Sequence, residues 1–204
     1  MNFELPKQTE IIGSKEEGKY ISGIYRKMFG VVVYKSWGEM FQIEALLNAV
    51  KFSNIIELGT GYGSTAILMG VHSHMTGAKV FTYDDKPTVT AEVQKLYDAI
   101  GVEFEVIDIF ENEKKIADLI TRPGRTLLYC DNGNKNKELQ MWSYYLKPGD
   151  VALVHDYPEE TFQTILDEVS KLYNMSPFCQ DWFESHCCSH RALIKEEFVP
   201  CSKL

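Results

Sequence analysis

From residue 54 onward the chain alternates short apolar runs with stretches of helical period. The runs are NIIELG, AKVFTYD, VEFEVID, RTLLYCD and DVALVHD, and between them lie STAILMGVHSHM, TVTAEVQKLYDAI, NEKKIADLI and KNKELQMWSYYL. This order predicts an α/β fold, a doubly wound and mostly parallel sheet with helices between its strands. Right-handed crossovers then gather the carboxyl ends of the strands on one edge, where such sheets bind ligands at the reversal of strand order. After Asp156 the pattern predicts a helix over TFQTILDEVSKLY, then two apolar runs, SPFCQDWF and HRALIKEEF, that pair as an antiparallel hairpin and bring the sheet to seven strands. Ahead of the first run, Phe41, Ala45, Leu46, Leu47 and Ala49 recur at helical spacing and predict a helical lead-in.

No repeat, low-complexity tract or Pro/Gly-rich linker interrupts the chain. Its 204 residues, 45% hydrophobic and 25% charged, suit one core. A single domain over 1–204 is therefore expected, with an extension or lid at 1–50, a ligand-binding core at 53–157 and a closing helix and strands at 158–204. A net charge of -8 and a pI near 5.2 oppose contact with phosphate backbones or anionic lipid. The expected partner is a small molecule, with neither nucleic acid nor membrane, and the exposed lead-in is compatible with a homodimer. No apolar run approaches the roughly 20 residues of a membrane span, and MNFELPKQTE lacks the features of a secretory signal, so a cytoplasmic protein is expected. Five cysteines, an odd count without framework spacing, read as reduced thiols.

The acidic residues give the frame a chemistry. The five strands end in Glu57-Leu58-Gly59, Asp84-Asp85, Asp108, Asp131 and His155-Asp156, which places a carboxylate at every carboxyl end. Singly, each can be a turn former, and Asp108 can equally be a helix N-cap. Between Glu57 and Ser64, glycines at 59, 61 and 63 allow a sharp turn that brings bare backbone to a ligand. The spacing is not the G-x-G-x-x-G of a pyrophosphate loop. Glu57 would repel a phosphate and attract an ammonium or sulfonium group, while Asp84 at the second strand end can accept both hydroxyls of a ribose.

The stretch Glu57-Leu58-Gly59-Thr60-Gly61-Tyr62-Gly63 resembles the first motif of class I S-adenosylmethionine (SAM)-dependent methyltransferases, and TYDD, ending at Asp85, resembles their second. The similarity covers about residues 53 to 157. Within it, the segment from LLYCDNGNKNKELQ to VALVHDY is similar to small-molecule O-methyltransferases of the catechol, macrocin and cephalosporin-pathway type. The resemblance implies a Rossmann-like sheet and a SAM site in which Glu57 meets the methionine amino group. Gly59, Thr60, Gly61, Gly63 and Ser64 would approach the cofactor, Asp84 and Asp85 would hold the ribose, Asp108 and Ile109 would lie near the adenine, and Asp131 would also border the cofactor. It further implies that Asp131, His155 and Asp156 are the catalytic residues.

A metal site follows partly from geometry. RTLLYCD and DVALVHD are expected to be neighbours about 4.8 Å apart, so Asp131 and Asp156 can converge on Mg2+, which keeps open positions for a substrate hydroxyl. By resemblance His155 is the third ligand; a histidine satisfied by backbone is the alternative. The chain departs from the branch at Asn132-Gly133-Asn134, where relatives carry an acid or histidine that can serve as base. Three functions stay open: methyl transfer to a hydroxyl, cofactor binding with lost or altered catalysis, and NAD-dependent oxidoreduction, which the glycine spacing and Glu57 oppose. Lys135 and Lys137 can pair with a substrate carboxylate or simply start a helix. SHCCSH is dense in soft ligands, yet adjacent Cys187 and Cys188 face opposite ways and no second pair exists, so a hairpin loop is expected over a zinc site. Trp142 is expected in the core, and Trp37 and Gln42 near a lid.

Overall fold

The computed structural model describes residues 26–185 and 189–197. Among the described residues, seven strands form one sheet in the order β5-β4-β3-β6-β7-β9-β8. They are β3 (Asn54–Leu58), β4 (Lys79–Asp84), β5 (Val102–Val106), β6 (Thr126–Cys130), β7 (Val151–Val154), β8 (Met175–Pro177) and β9 (Arg191–Lys195). β3 to β7 run parallel, and β9 is antiparallel to both of its neighbours. The chain builds outward from β3 through β4 to β5, then returns to lay β6 and β7 on the other side. The reversal opens a crevice over the carboxyl ends of β3 and β6, where ligands bind in such sheets.

Every residue of β3, β6 and β7 is buried. Alternate side chains serve two separate cores. Ile55, Leu127, Tyr129 and Leu153 pack with α1 (Trp37–Ala49), α2 (Ser64–Thr76) and α3 (Ala91–Ile100). Ile56, Leu58, Leu128 and Val154 pack with α4 (Glu113–Ile120), α5 (Lys135–Trp142) and α6 (Gln163–Tyr173), and Trp142 lies in this second core. The two-residue period of a strand thus becomes the two-faced burial of a three-layer sandwich. Among the described residues no helix is long and apolar enough to cross a membrane.

Two segments differ in detail from expectation. The lead-in contains its helix, α1, but a hairpin precedes it, β1 (Arg26–Met28) with β2 (Val31–Val33). Its turn, Phe29-Gly30, has positive φ at both positions, 53° and 79°, as tight hairpin turns of the primed type require. The rest of the expected lead-in, residues 1 to 25, lies outside the described residues. Near the other end, only Ser176 and Pro177 of SPFCQDWF lie in a strand. Cys179, with φ of 52°, turns the chain, and Trp182 and Phe183 donate their backbone N–H groups to the Cys179 carbonyl, so Gln180–Ser185 folds as helix α7. Pro177 cannot extend a ladder and is tolerated because β8 is an edge.

Candidate functional site

A cavity of about 350 Å³ lies over the crevice between β3 and β6. Gly59, Thr60, Gly61 and Ser64 line it from the loop after β3, Asp84 from β4, Asp131 from β6, and His155 and Asp156 from the end of β7. Val32, Tyr34 and Lys35 of the lead-in form the facing wall. A larger open groove, about 840 Å³, runs along edge strand β5 between α3 and α4, but it contains none of the groups at the crevice.

The three glycines have three separate causes. At Gly59 a Cβ would stand 2.5 Å from the Asp131 carbonyl oxygen, so its absence lets the two strand ends close together. At Gly63 a Cβ would meet the Tyr97 hydroxyl at 2.3 Å, and that hydroxyl donates to the Gly63 carbonyl at 3.1 Å. Gly61 alone has nothing within 4 Å of where its Cβ would point, and it lines the cavity. There the missing side chain leaves space for a ligand to meet bare backbone.

Acidic groups anchor this loop from below. Asp84 accepts from the Gly61 N–H at 2.8 Å and from the Lys86 N–H at 3.0 Å, and each carboxylate oxygen keeps capacity for a further donor. Glu57 is fully buried. Its Oε2 accepts from the Thr82 hydroxyl at 2.5 Å, Thr82 pairs with Thr60 at 2.6 Å, and its Oε1 has no partner. Burial pushes the Glu57 carboxyl up to about 8, against the help of Thr82 and Lys35. A buried carboxyl with an orphaned oxygen favours the approach of a cationic group.

On the opposite side, Asp131, His155 and Asp156 meet, each offering a ligand atom within 4.8 Å of the others. His155 Nδ1 stands 3.0 Å from one oxygen of Asp131 and 3.0 Å from one of Asp156. Asp156 takes a φ of 58°, a left-handed conformation that Asp tolerates better than most residues and that turns its carboxylate back toward the histidine. Lys35 Nζ pairs with the other oxygen of Asp131. Lys135 pairs with Asp156 at 2.9 Å, Glu160 at 2.7 Å and the Asn132 carbonyl at 2.9 Å, which joins the loops after β6 and β7.

Burial and the Lys35 charge push the His155 imidazole down, but Asp131 and Asp156 outweigh them and raise it to about 10. Asp131, despite burial, is held well below the usual carboxylate range by Lys35 and His155, and Asp156 falls to about 2 beside His155 and Lys135. The cluster is therefore a set of carboxylates around an imidazolium. His155 Nε2 points the other way, 3.2 Å from Glu39 Oε1, and Glu39 also accepts from the buried Ser189 hydroxyl. Next to it His190 is fully buried and pushed down to about 3, mainly by desolvation and by the His155 charge. Gln42 donates its amide to the Phe183 carbonyl at 3.2 Å, so its oxygen faces His190 Nδ1 at 3.1 Å; Nδ1 then carries the hydrogen, and Nε2 accepts from Tyr129 at 3.0 Å.

Of the residues expected from the sequence, Gly59, Thr60, Gly61, Ser64, Asp84, Asp131, His155 and Asp156 share the cavity wall. Glu57 lies buried beneath it. Gly63, Asp85, Asp108 and Ile109 stand outside: Asp85 and Asp108 are exposed, Ile109 is buried in the second core, and the Asp108 carboxylate closes a local turn onto the Phe110 N–H at 2.8 Å. Asn134 caps α5 by accepting from the Lys137 N–H at 3.2 Å, and Asn132 accepts from the Gly133 N–H at 2.8 Å. His190 of SHCCSH is committed to Gln42 and Tyr129, while Cys187 and Cys188 lie outside the described residues, as does the side chain of Trp37. The sequence reading missed Lys35, Glu39 and Ser189. For Glu39 a signal existed, the Ser36-x-x-Glu39 capping box that starts α1.

No family model matches the chain, and no curated protein matches it. Solved structures do. A Mg-SAM form of CmcI is 14% identical, covers 97% of this chain and 87% of that one, and superposes with a TM-score of 0.66. An apo form of CmcI gives 14%, the same coverage and 0.64. The O-methyltransferase TomG from Streptomyces achromogenes, involved in tomaymycin synthesis and solved with SAM, is 13% identical over 80% of this chain and 82% of that one, with a TM-score of 0.53. What the chain shares with them is the Rossmann-like α/β fold expected from its sequence.

Proposed function

We propose that the protein is a SAM-dependent methyltransferase acting on a hydroxyl of a small molecule, with a divalent cation held by Asp131, His155 and Asp156. The observation that carries this reading is the convergence of the glycine loop, Asp84 and that cluster on one cavity at the strand-order reversal. SAM-bound relatives in fold support it. The orphaned Glu57 oxygen and the open face of Gly61 suit the ammonium end of the cofactor, and Asp84 keeps acceptor capacity for a ribose diol.

SAM supplies an electrophilic methyl group on a sulfonium. The chain's own part is to orient both reactants and to exclude water, since a single displacement needs little beyond alignment. A divalent ion would act as a Lewis acid on the acceptor hydroxyl. In the state described, His155 already holds its proton between the two aspartates, so it orients them and is not a free base. Val32, Tyr34 and Lys35 form the acceptor side of the wall in this reading.

One observation favours a second reading, cofactor binding without methyl transfer: Asn132 and Asn134 are both occupied in local backbone caps, leaving no acid or histidine there. Calorimetry and a labelled-methyl assay separate the cases. Binding of S-adenosylhomocysteine (SAH) but not NAD, with label passing from SAM to members of a panel of small hydroxylated compounds, is the expected result. Binding of NAD in preference to SAH would overturn the proposal; SAH binding with no transfer to any hydroxylated compound would favour the second reading.

A further inference from the structure

Lys35 is the residue whose placement the proposed reaction leaves unexplained. It stands between β2 and α1, and its side chain is 7% exposed, with the ammonium against Asp131 and 5.5 Å from the centre of the Tyr129 ring. The position is fixed by its neighbour. Ser36 caps α1, accepting from the Glu39 N–H at 3.2 Å while its own N–H donates to Glu39 Oε2 at 2.6 Å. The other oxygen of Glu39 meets His155 Nε2 and Ser189. One carboxylate thus ties the start of α1 to the end of β7, and Lys35 is delivered from that tie into the cluster.

We propose that Lys35 is a tethered cation that competes with a divalent ion for Asp131, so that ammonium and metal occupy this carboxylate in turn. The inference rests on the metal part of the reading above. Both oxygens of Asp131 are taken, one by Lys35 and one by His155 Nδ1. An ion that binds here displaces the Nδ1 proton of His155 to solvent and can then take the freed lone pair with the ring in place, but the Lys35 ammonium would have to withdraw to make room. Two like charges on one buried carboxylate would also repel strongly.

The two lysines of the site are not equivalent. Lys135 has three oxygen partners, Asp156, Glu160 and the Asn132 carbonyl, and joins two loops. Lys35 has Asp131 as its single hydrogen-bonded partner among the described residues. The cavity wall it belongs to also includes Tyr34, which is 60% exposed. Lys35 is the one that yields, and its contact with Asp131 sets how tightly the site takes a metal.

The test is Mn2+ binding to the full chain, read from the loss of the free-ion electron paramagnetic resonance signal, with and without saturating SAH. Wild type is compared with Lys35→Met, Lys35→Gln and the charge-keeping Lys35→Arg; Asp131→Asn in each background marks the site. Lys35→Met and Lys35→Gln are expected to bind Mn2+ on the order of tenfold more tightly or better, since a buried competing charge is removed. Lys35→Arg is expected to stay close to wild type. Equal or weaker Mn2+ binding in a folded Lys35→Met or Lys35→Gln overturns the inference, as does gain of affinity in Lys35→Arg of the same size. If no variant binds Mn2+ while SAH still binds, the Lys35 inference falls and the cofactor reading stands. If SAH fails to bind wild type, the cofactor reading falls, and the titration without SAH still decides the role of Lys35.

Discussion

Gly61 and Gly63 look interchangeable in the sequence, and their surroundings predict opposite consequences for the same substitution. Gly63 has a φ of 93° and lies under the buried Tyr97 hydroxyl. Gly63→Ala adds backbone strain of roughly 1–2 kcal/mol. It also pushes away a hydroxyl whose acceptor is the Gly63 carbonyl, and a buried hydroxyl without a partner costs about 1–3 kcal/mol. The sum is about 3 kcal/mol, or a fall in Tm of about 6–12 °C for a domain of this size. Gly61, at a φ of 52°, sits in the ordinary left-handed well with open space ahead. Gly61→Ala should cost about 1 kcal/mol, while its methyl group enters the cavity and weakens SAH binding by at least about tenfold. Urea denaturation and calorimetry on the two variants give the contrast. Tyr97→Phe is the control: it removes the clashing hydroxyl, and the Gly63 carbonyl keeps the Ile67 N–H at 3.1 Å, so Gly63→Ala should cost about 1–2 kcal/mol less in that background. Equal stability losses at the two glycines, additivity with Tyr97→Phe, or wild-type SAH binding in Gly61→Ala would refute the reasoning.

The charges give three further predictions. Because the folded Glu57 carboxyl stands at about 8 against an ordinary 4.5, it costs stability progressively as pH rises through that interval; Glu57→Gln should raise the apo Tm at pH 8 and weaken SAH binding, and a lower Tm would mean that the carboxylate is ionised and satisfied. His155 is also raised and has the same sign against pH, though here the charged form is the favoured one: with a folded value of about 10 against 6.5, its contribution is complete below pH 6.5 and lost as pH rises through 10, so its ring should keep imidazolium NMR shifts at pH 8, and a titration near 6.5 would contradict the ion cluster. Asp150, fully buried at the start of β7, accepts from the Thr126 N–H, the Lys147 N–H and Lys147 Nζ, each at 2.7 Å; Asp150→Ala should cost about 3–5 kcal/mol in urea titrations yet leave SAH affinity unchanged, because it lies at the edge of the sheet away from the crevice.

How much of this was legible depends on whether a feature is local. Strand periodicity, the capping box at Ser36 and the loop glycines are signals within a few residues, and they were readable as elements. Lys35 and Asp131 are 96 positions apart, Glu39 and Ser189 are 150 apart, and no local pattern announces such pairs. What the sequence did carry was the register in disguise. Leu58 lies opposite Tyr83 and Cys130, and Cys130 opposite Val154, so the next residues along, Gly59, Asp84, Asp131 and His155, come into one row. Because side chains alternate across a sheet, a slip of one residue in β6 would turn Asp131 into a core and bring Cys130 to the crevice. Both faces of β6 are apolar, so what opposes that slip is the loss of the Tyr129 hydroxyl's bond to His190 at 3.0 Å and the burial of the Asp131 carboxylate among apolar side chains. The cluster is therefore positioned by the register of the strands that precede it, and the unread part was which groups from distant segments, Lys35, Glu39 and Ser189, would meet it.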